Sequence, residues 1–333
     1  ADGWTLLASK KLIEAEVEVF NMEVADHHDF FVAGEKTSYL VHNPGGGGGS
    51  LYTIKPDPSV GVISSVIRIS ASNVRLQNLQ IEKTGTTKFN DGIIVESGSN
   101  ITLQRVKVVE ATSNAGIRIN PSASVCVRGS SVYKAGSASG AANGIAIDGS
   151  GSGGSVEFRD TSSTFNTSHG FAVVSSGLSA ITFLATLADN NTGDGYNLRG
   201  NVNVFCSDAK SNGGDGVEMT TANTLHVENM LIPGNIGRGI LAVGGATQVV
   251  AATLVNNSSS GLQVRGSDLR IVNSIGQGTT FVDTDPDPIC AANLYSGTNG
   301  GCTGTPGTPI FQSQIDYHLT AASPGLDAGI DPT

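Results

Sequence analysis

From residue 66 onward the chain repeats one short phrase: a glycine followed by apolar, any residue, apolar. It reads "GIIV" at 92, "GIRI" at 116, "GIAI" at 144, "GFAV" at 170, "GYNL" at 195, "GVEM" at 216, "GILA" at 239 and "GLQV" at 261, with "VIRI" at 66 matching without the glycine. The steps between them are 26, 24, 28, 26, 25, 21, 23 and 22 residues. A second alternating stretch follows in each unit, among them "NITLQRV", "SVCVRGS", "SVEFRDT", "AITFLAT" and "TLHVENM". Alternation with period two gives each stretch one inward and one outward face. A unit this short, made of thin strands and polar turns, cannot bury its apolar face alone and must stack on copies of itself. Leucine-rich repeats need a fixed leucine spacing that is absent, and a propeller blade needs about 40 residues per unit. The pattern therefore predicts an all-β solenoid, a parallel β-helix of about nine rungs.

The alternation also assigns an inward stack: Ile67, Ile93, Ile117, Ile145, Phe171, Tyr196, Val217, Ile240 and Leu262. Asn78, Asn229 and Asn273 share one register after the second stretch and predict part of a stacked amide ladder, interrupted by Arg105, Asp160 and Cys206. On these rungs, residues 60–330 resemble the pectin-lyase-like right-handed β-helix superfamily. The end, "DYHLTAASPGLDAGIDPT", resembles the closing segment of secreted bacterial β-helix proteins. The resemblance implies a fold. Function is left open by it, because this fold hosts lyases, hydrolases, epimerases, phage spikes and adhesins.

The first 43 residues differ in character. They hold eight acids and three lysines, half of the chain's net charge of −10. "EAEVEVF", "DFFVAG" and "SYLVHN" read as short strands, and "PGGGGGS" at 44–50 as a flexible linker. The chain thus divides into 1–43, the linker 44–50 and the solenoid 51–333. The order "VFNMEVADHHDFFVAGEKTSYLVHN" resembles the C-terminal end of a Hint module, the self-processing fold of inteins, hedgehog proteins and bacterial pretoxin precursors. The resemblance implies that Asn43 cuts the chain by attacking its own carbonyl, that His42 protonates the scissile amide, and that His28 with Asp26 assists. Imidazoles exchange protons near neutral pH, and a side-chain amide nucleophile needs a held geometry. Pro44 offers no hydroxyl or thiol for an acyl shift, so cleavage rather than splicing is expected. The N-terminal Hint half is missing and is an expected partner. A chain that starts at Ala1 is expected to be a piece of a longer precursor.

Outside the glycine phrase, chemistry is sparse. No basic stripe is visible, which argues against nucleic acid, and no apolar run is long enough to span a membrane. Glu96, Arg118 and Asp148 fall on the outward face of three successive rungs and form a candidate carbohydrate site. Alternating charges on a solvated sheet face give the same pattern. Asp194 and Asp215 precede glycines on adjacent rungs as "GDG" and offer a calcium site, the only cofactor expected. Asp-Gly is equally a plain turn dipeptide, and His169 in the same slot reads as a turn residue. Cys290 and Cys302 bracket "CAANLYSGTNGGC" and are expected to form a disulfide, worth about 2–3 kcal/mol. Cys126 and Cys206 are expected to stay unpaired.

These features predict an extracellular or cell-surface bacterial β-helix protein, a carbohydrate-binding or adhesive module attached to or released from a Hint-containing precursor. The enzyme alternative is a polysaccharide lyase or glycosidase working on the outer face. A third reading is a fragment with a vestigial autoprocessing segment.

Overall fold

The structure, a computed structural model, describes residues 29–33, 38–42, 51–55, 62–83, 88–136, 141–175, 177–220, 223–277, 281–283, 288–296, 305–306, 308–309, 319 and 322–323. Every regular element among them is a strand, and they stack into a right-handed parallel β-solenoid of about nine turns. Each turn contributes to three parallel sheets. The glycine-phrase strands, such as Ala115–Ile119, Asn143–Ile147, Phe171–Val173, Tyr196–Leu198 and Val217–Met219, form the first sheet. The second holds strands such as Val125–Arg128, Ser155–Arg159, Ala180–Leu184 and Val202–Phe205. The third is built from three-residue strands such as Ser131–Tyr133, Ser162–Thr164 and Leu187–Asp189.

The inward stack read from the alternation is the observed one. Ile67 pairs with Ile93, Ile93 with Ile117, Ile117 with Ile145 and Ile145 with Phe171. The column continues through Tyr196, Val217, Ile240 and Leu262. All but Ile67 are buried, and Ile67 packs against the core's first turn. Each fully buried member contributes about 1.5–3 kcal/mol. Four rings meet in mid-solenoid: Phe171 and Tyr196 stack at 5.0 Å, Phe158 and Phe183 at 4.9 Å. The Tyr196 hydroxyl is satisfied inside the core by Thr186 Oγ1 at 2.8 Å, so this phenol is a core residue.

The turn from second to third sheet is made by a single left-handed residue in every rung. Asn78, Arg105, Gly129, Asp160, Ala185, Cys206, Asn229, Ala251, Asn273 and Ala292 all have φ between 48° and 57°. One such residue re-aims the strand without a loop, and Asn and Gly bear that conformation most easily. Here one expectation is corrected. Asn78, Asn229 and Asn273 share this register but form no ladder: Asn229 is exposed, and Asn78 Oδ1 is buried with no partner. No two of the three are neighbours, since Arg105, Cys206, Ala251 and Ala292 hold the corner positions beside them.

The amide ladder stands at the other end of the third sheet, in Asn166, Asn191, Asn212, Asn235 and Asn257, all buried. The backbone N–H and the Nδ2 of each donate to Oδ1 of the next. For Asn191 onto Asn212 the distances are 3.1 and 2.9 Å, and for Asn212 onto Asn235 they are 2.9 and 3.0 Å. The second Nδ2 proton goes to a strand carbonyl in the neighbouring rung, as from Asn212 to Ala188 O at 3.2 Å. This ladder accounts for the phrase glycine in the rungs that carry an asparagine, whereas at Gly92 and Gly116 a Cβ would meet Val108 and Val132. A Cβ on Gly195 would lie 2.8 Å from Asn212 Nδ2 and 2.7 Å from Gly216 O, and one on Gly170 would lie 2.7 Å from Asn191 Nδ2. In the asparagine rungs the glycine is there to make room for the amide.

At the N-terminal end, Asp29–Ala33 pairs antiparallel with Ser38–His42, which pairs antiparallel with Tyr52–Ile54, itself a parallel member of the third sheet. The glycine-rich stretch 44–50, expected to be a flexible linker, lies outside the described residues. His42 closes its strand. Asp26, His28 and Asn43 lie outside the described residues. Cys126 and Cys206 are free as expected. Cys290 is disulfide-bonded, and its expected partner Cys302 lies outside the described residues.

Candidate functional site

Stacking turns one position per rung, the residue just before the glycine, into a column: Asp91, Ala115, Asn143, His169, Asp194, Asp215, Arg238 and Ser260. These side chains do backbone work. The N–H of Ala115 donates to Asp91 Oδ1 at 3.2 Å, and that of His169 to Asn143 Oδ1 at 3.2 Å. Further along, the N–H of Asp194 donates to His169 Nδ1 at 3.0 Å, that of Asp215 to Asp194 Oδ1 at 2.7 Å, and that of Arg238 to Asp215 Oδ1 at 2.5 Å. An unpaired buried N–H is costly, so five of these rungs place a side-chain acceptor beneath the next, while above Ala115 the N–H of Asn143 goes to Asn114 O.

In mid-column this acceptor series meets the outward face of the first sheet. Asn197 and Glu218 are paired in register and point outward, three residues after Asp194 and Asp215. Asn197 Nδ2 bridges the two acids, at 2.8 Å from Asp194 Oδ2 and 2.7 Å from Glu218 Oε2. His169 Nδ1 lies 3.1 Å from Asp194 Oδ2. That nitrogen accepts the Asp194 N–H when it carries no proton and donates to Oδ2 when it does, so the placement of the Nδ1 proton selects between the two contacts. Beyond Asp215, Arg238 NH1 lies 3.3 Å from Asp215 Oδ2, and Arg238 Nε donates to Gln263 Oε1.

The two bridged acids are driven apart. Burial pushes the Asp194 carboxyl up, but hydrogen bonds from His169, Glu218, Asn197 and the Asp215 N–H outweigh it and hold the group at about 2. Glu218 goes the other way, to about 7, through burial, the proton it shares with Asp194, and the charges of Asp194 and Asp215. Burial also raises Asp215, against the pull of Arg238. One site therefore holds a fixed anion beside a half-exposed carboxyl that loses its proton near neutral pH, the pairing that acid–base chemistry uses.

The structure separates the other expected trio. Glu96 pairs with Arg68 on the preceding rung. Arg118 is committed to the fully buried Asp91, 3.1 Å from its Oδ2. Asp148 is exposed and shares an outward column with Glu96, while Arg118 stands in the neighbouring one. Their side chains do not converge, because two outward positions of a strand form two separate columns. Asp194 and Asp215 do sit on adjacent rungs, but their oxygens are taken by protein donors. Among the described residues no group of three or more His, Cys, Asp or Glu is arranged to hold a metal ion. Sequence reasoning missed Asn197, Glu218 and Arg238 and read His169 as a turn residue. The signal was present in the spacing, since Asn197 and Glu218 each fall three residues after a pre-glycine aspartate.

No helix among the described residues is long and apolar enough to cross a membrane. No curated protein sequence matches the chain. Two solved structures similar to it are A-modules of mannuronan C-5 epimerases of Azotobacter vinelandii. The AlgE6 A-module is 18% identical over 81% of this chain and 78% of its own, with a TM-score of 0.51. The AlgE4 A-module is 15% identical over 76% and 78%, with a TM-score of 0.51. At these identities the likeness is one of fold. The family model described as "Right handed beta helix region" matches residues 115–276, the stretch that contains every member of the His169–Asp194–Glu218 cluster.

Proposed function

We propose that this β-helix acts on a polysaccharide laid across its first sheet, with Glu218 as the group that exchanges a proton with the sugar. The observation that carries the reading is the bridge Asp194–Asn197–Glu218, in which one amide nitrogen holds two carboxyls together on an outward face. In this reading Asp194 stays ionised and holds the proton on Glu218, Asn197 fixes the Glu218 carboxyl, and His169 contacts Asp194 Oδ2 from the preceding rung. Glu218 protonated is a general acid, and ionised it is a general base. The mannuronan epimerases that share the fold make acidic polysaccharides the first substrates to try. Localisation outside the cell follows from such a substrate.

The test is turnover on polymannuronate, polygalacturonate and neutral polysaccharides, read by proton NMR for cleavage or for inversion at a ring carbon. The expected result is activity on one of them, lowered about 10²–10⁴-fold by Glu218→Gln. Turnover by Glu218→Gln at the wild-type rate would remove the site from the reaction. Binding with no turnover on any polymer would make the chain a carbohydrate-binding or adhesive module.

For residues 1–43 we propose autoprocessing at Asn43, supported by the order Asp26, His28, His42-Asn43. Mixed with an N-terminal Hint half, the chain is expected to release a fragment beginning at Pro44, and Asn43→Ala to abolish release. Mass spectrometry showing release from Asn43→Ala, or a cut elsewhere, would make the His-Asn ending a coincidence.

A further inference from the structure

The second sheet turns a different chemistry outward. Its first four rungs carry Arg75, Arg128 and Arg159 on the outward face, with Arg105 at the corner. Arg128 and Arg159 are in register on neighbouring strands, so two guanidinium groups rise side by side from positions about 4.8 Å apart. Only two carboxylates share this stretch. Glu157 is taken by Arg159 at 2.5 Å, and Asp160, exposed at its corner, forms no ion pair among the described residues. Arg75 donates to the neutral Gln104, and Arg128 Nε to Cys126 Sγ at 2.8 Å. Arg105 makes no ion pair among the described residues, and its stem lies 3.7 Å from the position a Cβ on Gly129 would take. A chain of net charge −10 therefore keeps a local cationic face over four rungs.

Beside these arginines lies a shallow indentation of about 340 Å³. It is lined by Thr102, Ser124, Ser155 and Thr182 together with Arg128 and Glu157, while Arg75, Arg105 and Arg159 stand outside it. Thr102 and Thr182 end one outward column with Cys126 and Glu157 between them, and Ser124 and Ser155 precede the paired Val125 and Val156. Guanidinium groups match carboxylates with two parallel hydrogen bonds.

We propose that this groove is a second, non-catalytic binding site for an acidic saccharide, separate from the cluster on the first sheet. Arg128 takes a carboxylate of the sugar and the threonine and serine hydroxyls take its ring hydroxyls, with Arg105, outside the groove beside Gly129, adding to the local positive charge, so a chain held here is retained by the solenoid independently of the chemistry at Glu218.

The experiment is fluorescence anisotropy with labelled hexagalacturonate at low salt, in the Glu218→Gln background so that turnover does not consume the probe. Binding is expected, with Arg128→Gln weakening it about tenfold and Arg105→Gln by less, both flattening its salt dependence. Glu157→Gln, which removes the carboxylate that repels the ligand, is expected to tighten it about threefold. Thermal melts of the arginine variants should match the parent, since both side chains are exposed. No binding, equal affinity in the arginine variants, or equal affinity for maltohexaose or for a single-stranded oligonucleotide of the same charge would overturn the proposal.

Discussion

The column Asn166–Asn191–Asn212–Asn235 and the column Asn143–His169–Asp194–Asp215 run along the same edge of the solenoid, three residues apart in most rungs. Both give a backbone N–H a side-chain acceptor on a neighbouring rung, the first column accepting from the preceding rung and the second from the following one. The first column is neutral, buried and chemically uniform, and each amide uses its protons and its oxygen within the ladder. The second meets solvent through Asn197 and Glu218, and its acceptors change from amide to imidazole to carboxylate. Any acceptor of suitable reach meets the backbone's need. A column that varies the acceptor and adds outward acids serves something besides the backbone.

Breaking the neutral column should have the largest effect. Asn212→Ala leaves the N–H and Nδ2 of Asn191 without an acceptor inside the solenoid. Each buried unsatisfied group costs about 1–3 kcal/mol, so a loss of about 3 kcal/mol or more is expected in chemical denaturation. The matching change in the charged column, Asp194→Asn, keeps an oxygen for the Asp215 N–H and should cost about 1 kcal/mol. If the two losses were equal, the two columns would be equally structural.

Asp194→Asn should also move Glu218. Without the neighbouring anion its carboxyl ionises more easily, so its midpoint, about 7 in the native chain, should fall toward the ordinary 4.5. Carbon-13 NMR of the glutamate carboxyls would follow it, and an unmoved midpoint would mean that Asp194 is not the group holding the proton.

The smallest effect is on stability against pH. Glu218 has a raised folded value, so between about 4.5 and 7 the folded state holds a proton that the unfolded chain has lost, and stability falls as pH rises through that window. Asp194 is depressed from 3.8 to about 2, so its contribution is present above 3.8 and is lost as pH falls toward 2. Glu218→Gln should flatten the melting temperature between pH 4.5 and 7 and leave the acid limb as it was. Half-exposure of Glu218 screens the effect and keeps it small.

Much of this architecture was legible. Alternation named the inward column residue by residue, and the glycine phrase set the register of every rung from Ile67 to Leu262. The amide ladder was legible too, in the five-fold recurrence of Asn four residues before the phrase glycine, from Asn166–Gly170 to Asn257–Gly261. It went unread because Asn78, Asn229 and Asn273 also recur, and spacing alone does not say which recurring amide points inward. That depends on whether the residue or its predecessor takes the left-handed corner, since one residue of displacement reverses the side chain.

The sequence by itself determined which residues are buried and which rung lies on which, because apolar alternation and a glycine that tolerates no Cβ admit a single stacking register. Only the tertiary structure decided which polar residues meet. His169, Asp194 and Glu218 are 25 and 24 residues apart, and Arg105 and Arg128 are 23 apart. The solenoid brings each group onto neighbouring rungs, where a bridging amide can drive one carboxyl down and its neighbour up. Glu96, Arg118 and Asp148 are 22 and 30 residues apart and also fall on successive rungs. They remained separate because each found a nearer partner or faced solvent, a matter of side-chain direction and local charge that chain spacing does not encode.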